Sequence, residues 1–179
     1  MLNMKKREKE VKKVLWITLF LNLLVSLTKL VAGQAFGYLS LTSSGLESLF
    51  DGSANVLALV SIHFASRPPD KEHNFGHYKF ENLGSMIIAL LLIFSAYQLG
   101  TQVFVEWGKT RSLGSIELIP VGAIIFSMGV SFFTSSYESK KGHELKSTLL
   151  KADSDHTMGD FFISFAVLLS ILATNWGLW

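Results

Sequence analysis

Two pairs of ionisable residues interrupt apolar stretches of this sequence at the same spacing. Glu47 and Asp51 form one pair, and His156 and Asp160 form the other. On an α-helix the i, i+4 spacing places both side chains on one face, about 6 Å apart along the axis. Three carboxylates and one imidazole are ligands that suit a divalent transition metal. The two pairs therefore predict a four-ligand metal site.

A second group of metal-capable side chains follows a pair of prolines. Asp70, His73 and His77 form an Asp-x-x-His-x-x-x-His pattern within a polar loop that covers residues 66–82. Histidines in polar loops are often simply solvated, and the spacing alone leaves that interpretation open. The loop follows the helix that carries Glu47 and Asp51, which indicates a second and weaker metal site as the alternative.

The elements that must position these residues are membrane helices. The chain is 49% hydrophobic and 17% charged, whereas soluble domains carry about 25% charged residues. A bilayer core of about 30 Å needs roughly 20 helical residues, and only helices or closed barrels satisfy their backbone in lipid. Five stretches are long enough: residues 14–36, 39–65, 83–107, 116–137 and 149–176. We therefore expect an all-α integral membrane protein, a five-helix transmembrane bundle forming one domain over residues 1–179.

The basic residues predict the orientation of these helices. Most of the 16 lysines and arginines fall in residues 1–13, in the loop 66–82 and in the segment before the last span. The positive-inside rule then places the N-terminus in the cytoplasm and the C-terminus outside. Residues 1–13 form a basic cytoplasmic leader, which suits anionic lipid better than nucleic acid. The sequence closes at Trp179 with no cytoplasmic tail, so we expect either a fragment or a natural truncation.

Polar residues inside a bilayer are costly and usually serve an ion or proton pathway. Lys29 in the first span either pairs with a motif carboxylate or extends to the interface. Asp153 and Asp155 lie near the cytoplasmic edge of the last span, where they are entrance or capping residues or are merely solvated. The chain has no cysteine, so disulfides and thiolate metal sites are excluded. No catalytic triad, phosphate-binding loop or His-Glu-x-x-His pattern is present, and we expect neither an enzyme nor a nucleic-acid partner.

The motifs together resemble the cation diffusion facilitator family of divalent metal/proton antiporters. They are Leu-Glu-Ser-Leu-Phe-Asp at 46–51, Arg-Pro-Pro-Asp at 67–70 with the histidine segment at 73–81, and Lys-Ala-Asp-Ser-Asp-His-Thr-Met-Gly-Asp at 151–160. The resemblance covers nearly the whole chain and implies metal efflux in exchange for protons across a bacterial cytoplasmic membrane. It also implies a transport site and a loop site, made respectively by Glu47, Asp51, His156 and Asp160 and by Asp70, His73 and His77.

Two departures from the family pattern leave alternatives open. The first transport position, commonly Asp or His, is Glu47 here, which leaves the metal preference open. The imidazole of His156 favours Zn²⁺ as the expected cargo, with Fe²⁺, Co²⁺ and Mn²⁺ as alternatives. Family members usually carry a sixth span and a cytoplasmic domain on which homodimers depend, so the resemblance leaves a homodimer as an open question. The alternative function is a non-transporting metal-binding fragment or a regulatory subunit of a full-length transporter.

Overall fold

The computed structural model describes residues 4–36, 39–71, 73–106 and 118–175. Five helices follow one another in these ranges: α1 (Met4–Ala35), α2 (Leu39–Ala65), α3 (Lys79–Glu106), α4 (Leu118–Leu145) and α5 (Thr148–Asn175). The expected all-α, five-helix fold is confirmed. Within the described residues, three helical stretches have the length and apolar composition needed to cross a membrane: Lys6–Ala35, Ser44–Ala65 and Lys79–Gln98.

The helices extend beyond the apolar stretches that predicted them. α1 already begins at Met4, so from that residue onward the basic leader is part of the first helix rather than a separate segment. α4 continues through Leu145, which places Glu138 inside a helix instead of at the end of a span. Hydropathy marks where a helix leaves the apolar layer, whereas backbone hydrogen bonding continues as long as the residues tolerate a helix.

Local sequence explains where two of the helices end. α2 ends at Ala65, just before Pro68 and Pro69, which cannot donate the backbone hydrogen bonds that a helix needs. After α4, Lys146 adopts a positive φ of 50° and its N–H bonds to the carbonyl of His143. The N–H of Ser147 bonds to the carbonyl of Gly142 at 2.9 Å, which completes a Schellman motif.

Each helix packs against at least two others. α1 lies along α2 and α4, α3 contacts α2 and α5, and α4 lies along α5. Glycines bring α1 and α2 close together: a Cβ on Gly33 would lie 2.5 Å from the backbone nitrogen of Thr42, and one on Gly45 would lie 2.9 Å from that of Leu30. Small residues at such crossings allow the backbone approach that membrane helices use for packing.

We call the end of the bundle that holds the start of α1, the loop 66–78 and the α4–α5 turn the inner end. All five helices contribute to a buried apolar cluster there, which contains Val11, Val14, Leu15, Ala54, Ala58, Ile62, Ile88, Leu145, Leu149 and Leu150. Large apolar side chains such as Phe20, Phe50 and Ile93 are instead 64–73% exposed on the outside of the bundle. This distribution suits a protein surrounded by lipid, where outward apolar side chains carry no penalty.

Candidate metal-transport site

The two intramembrane pairs lie on continuous helices, as their spacing requires. Glu47 and Asp51 belong to α2, and His156 and Asp160 belong to α5. The Glu47 side chain is exposed, that of Asp160 is half-buried and that of His156 is only 4% exposed. The Asp51 side chain lies outside the described part of the structure. The α5 pair therefore directs an imidazole into the bundle, followed one turn later by a carboxylate.

α2 and α5 touch each other on the inner side of these pairs. Asn55, one turn after Asp51, donates a hydrogen bond of 2.5 Å from Nδ2 to Oδ2 of Asp153. This bond joins α2 to α5 about one turn away from Asp51 and from His156. The two helices that carry the ionisable pairs therefore lie side by side there. The convergence of all four ligands on one ion stays a prediction, since it depends on the side chain of Asp51.

Lys29 lies in the interior of the bundle rather than extending to the interface. Its side chain is 5% exposed, and Nζ donates to the hydroxyl oxygens of Ser48 at 3.1 Å and Ser44 at 3.3 Å. Both serines belong to α2, and Ser48 is the neighbour of Glu47. A positive charge therefore lies at the α1–α2 interface beside the motif helix.

The loop residues Asp70, His73 and His77 come together in space. One ligand atom of each lies within 4.8 Å of the other two, the one such three-ligand cluster among the described side chains. The Asp70 carboxylate accepts the backbone N–H of His73 at 2.7 Å and lies 3.3 Å from His73 Nδ1 and 3.3 Å from His77 Nε2. The carboxylate thus faces both rings, with the ring centroids 4.3 Å apart.

The surroundings of His77 fix the orientation of its ring. Its Nδ1 lies 3.2 Å from the carbonyl oxygen of Pro68, which favours the tautomer with the proton on Nδ1 and leaves Nε2 free to coordinate. The ring stacks on Phe80 and is 8% exposed, whereas the side chains of Asp70 and His73 are about half exposed. The cluster therefore has one buried and two solvent-accessible candidate ligands.

The structure corrects the expectation for Asp153 and adds residues that the motifs did not single out. Asp153 is 1% exposed, so it is neither solvated nor a surface cap, whereas Asp155 is exposed. It lies in a buried polar group with Asn55 of α2 and Glu138 of α4. Asn55 continues the i, i+4 series of Glu47 and Asp51, which was a usable signal. The sequence contains no comparable signal for Glu138, because this residue directly follows the predicted end of a span.

An ion pair closes the inner end of the bundle around the same helices. Arg7 of α1 contacts both carboxylate oxygens of Glu81 in the first turn of α3 at 2.9 Å. Its Nε donates to the carbonyl of Leu145 at 2.8 Å, and Ser147 donates to Glu81 at 2.5 Å. These contacts join α1, α3 and the α4–α5 turn at the inner end of the bundle.

Comparison with known proteins agrees with this arrangement. The sequence pattern of the cation efflux transmembrane domain matches residues 15–179. An uncharacterized transporter of Methanocaldococcus jannaschii is 33% identical over 171 residues, which cover 96% of this chain and 60% of the relative. The manganese efflux system protein MneS of Bacillus subtilis and the cation-efflux pump FieF of Shewanella oneidensis are each 26% identical, over 87% and 84% of this chain.

The chain spans only part of these relatives, namely 60% of the archaeal protein, 53% of MneS and 51% of FieF. The match nevertheless runs from the first span to the last described helix and includes both ionisable pairs and the loop cluster. The chain is therefore an integral membrane protein that belongs to the cation efflux family.

Proposed function

We propose that the chain carries a divalent transition metal out of the cytoplasm in exchange for protons, with Zn²⁺ as the principal cargo. The observation that carries the proposal is the buried imidazole of His156, followed one turn later on α5 by Asp160. An imidazole with carboxylates is a ligand set that Zn²⁺ accepts, whereas Mn²⁺ prefers oxygen ligands alone. The name of MneS makes Mn²⁺ the competing cargo to test.

Exchange for protons follows from the chemistry of the ligands. The carboxylate oxygens and the imidazole nitrogen that coordinate a metal must carry no proton. Metal binding therefore releases protons, and protonation of these ligands expels the metal. The ligands on α2 and α5 would therefore load from the inner side and unload when protons arrive from outside. Such a cycle needs the two helices to shift relative to the rest of the bundle, as in other secondary transporters. The proposed role involves no enzymatic step.

The test is metal flux in proteoliposomes that contain the full chain and an entrapped zinc-sensitive dye. With an outward-directed proton gradient, we expect Zn²⁺ uptake by the wild type and at least a tenfold loss in Asp160→Asn. The matched control is Asp155→Asn, which removes an exposed carboxylate from the same helix and should retain uptake. A parallel pH-sensitive dye should report proton movement only while metal moves.

Two outcomes would overturn the proposal. Equal uptake by Asp160→Asn and the wild type would remove Asp160 from the transport site. Metal binding by the wild type without any flux would instead favour the non-transporting binding module. Replacing Zn²⁺ by Mn²⁺ in the same vesicles ranks the two cargoes directly.

A further inference from the structure

Two buried acidic residues that belong to neither candidate site form a pair inside the bundle. Glu138 of α4 is 0% exposed and Asp153 of α5 is 1% exposed. Both carboxyl groups lie at the α4–α5 interface, where the Ser135 hydroxyl donates to the carbonyl of Ser154 at 2.8 Å and joins the two helices beside them. The two carboxyl groups also interact electrostatically with each other. At 1.5 Å per residue, Glu138 lies about 10 Å before the end of α4 and Asp153 about 8 Å after the start of α5. The pair is therefore well inside the bundle, near the inner end.

The groups around this pair are mostly hydroxyl and amide groups. Thr18 of α1 and Thr157 of α5 are neighbours of the Glu138 carboxyl group. Asn55 donates to Asp153 at 2.5 Å and to the Thr18 hydroxyl at 3.4 Å. Four helices thus supply oxygen atoms and amide groups to one enclosed region. His156 follows Asp153 by one turn and interacts with it electrostatically, so the region adjoins the transport site.

Glu138 lacks the partners that a buried carboxylate normally has. The side chains of Thr18, Thr157 and Asp153 lie near its oxygens, but none of them makes a hydrogen bond of ordinary geometry to Glu138. The hydroxyl of Thr134, one turn earlier on α4, is likewise buried and has no hydrogen-bond partner among the described residues. No lysine or arginine in the described ranges forms an ion pair with Glu138 or Asp153. Burying two facing carboxylates is unfavourable unless a cation or a proton lies between them.

We propose that Glu138 and Asp153 form a second intramembrane site for a hard divalent cation, on the inner side of the transport site. We call it the inner carboxylate site. The carboxylates with the hydroxyls of Thr18 and Thr157 are an oxygen set, which suits Mn²⁺ better than Zn²⁺. Along α5 a cation from the inner end meets Asp153 first, then His156 and Asp160. The position of the inner carboxylate site on the route of the cargo rests on the proposed transport function. The binding of a cation at this site does not depend on that function.

The test measures Mn²⁺ binding to the full chain in detergent by equilibrium dialysis and electron paramagnetic resonance. A background carrying His73→Ala, His77→Ala and Asp160→Ala disables the two other sites and should retain one equivalent of bound Mn²⁺. Adding Glu138→Gln, which keeps the shape and removes the charge, should weaken that binding at least tenfold. The control is Glu144→Gln, an exposed carboxylate on the same helix, which should leave the binding unchanged.

Anomalous X-ray scattering at the manganese edge tests the wild type without relying on the fold of a variant. A peak between Glu138 and Asp153 is the expected result. Absence of that peak, or undiminished Mn²⁺ binding after Glu138→Gln, would overturn the proposal and leave a shared proton as the cation of the pair. Flux that survives Asp160→Asn would reject the proposed transport site alone, since Mn²⁺ binding at Glu138 is read out separately.

Discussion

Arg7 and Glu81 form a two-contact ion pair, with Nη1 2.9 Å from Oε2 and Nη2 2.9 Å from Oε1. The pair joins the first turns of α1 and α3 and is largely shielded, since the side chains are 21% and 8% exposed. A shielded guanidinium–carboxylate pair with two parallel contacts is stronger than a typical surface pair. It therefore serves as the main polar clamp at the inner end.

Removing one partner of this clamp should destabilise the bundle. Glu81→Ala leaves Arg7 without its carboxylate and deprives Ser147 of its acceptor, so we expect a loss of about 2–3 kcal/mol in the free energy of unfolding. Unfolding in detergent titrated with sodium dodecyl sulfate measures this loss. Glu144→Ala, which breaks an exposed pair with Lys141, is the control and should change nothing measurable. Equal stability of the two variants would show that the Arg7 pair contributes as little as a surface contact.

The bond between Asn55 and Asp153 predicts a second effect on stability. Asn55→Ala removes the hydrogen-bond donor of a buried carboxyl group and should cost about 1–2 kcal/mol, the upper range for hydrogen bonds between membrane helices. The matched control is Ser53→Ala on the exposed side of α2. If Asn55→Ala also lowers the stability in the background of Asp153→Ala, which has no side-chain acceptor for this bond, the loss arises from another contact of Asn55.

The loop cluster predicts a change in metal stoichiometry. The double variant His73→Ala and His77→Ala removes both imidazoles and should lose one equivalent of Zn²⁺ in calorimetric titration at neutral pH. Binding at this cluster should weaken in acid, because protonated imidazole cannot coordinate. His143→Ala removes an exposed histidine of α4 and should keep the wild-type stoichiometry. An unchanged stoichiometry in the double variant would make the loop histidines ordinary solvated residues.

Substitutions of Glu47 should change the order in which the proposed transport site prefers different metals. Replacing it by His gives the proposed four-ligand site two nitrogens and two carboxylates, which should favour Zn²⁺ further over Mn²⁺ and Fe²⁺. Glu47→Asp keeps the donor type and shortens its reach, so affinity should change more than ranking. Competition binding in both variants measures this. An unchanged metal ranking in Glu47→His would mean that Glu47, whose side chain is exposed, does not contact the ion. The proposed site would then have three ligands.

The sequence by itself determined the features that depend on neighbouring residues. Apolar stretches of membrane length predicted five helices, and the prolines at 68 and 69 predicted where α2 stops. The contact among Asp70, His73 and His77 also arises within one short loop, in which the three residues are separated by three, four and seven positions. In each case the interaction is local, so composition and spacing are enough to specify it.

Only the tertiary structure decided which residues face one another across helices. Glu138 meets Asp153, and Asn55 bonds to Asp153, although long segments of chain separate them. Helical periodicity shows which residues share a face, but not which neighbour that face meets or at what depth. Rotation and depth are set by packing, here by close approaches such as Gly33 to Thr42. Because of this packing, Asp153 lies in the buried interior and not at the solvated edge of the span, where it was expected.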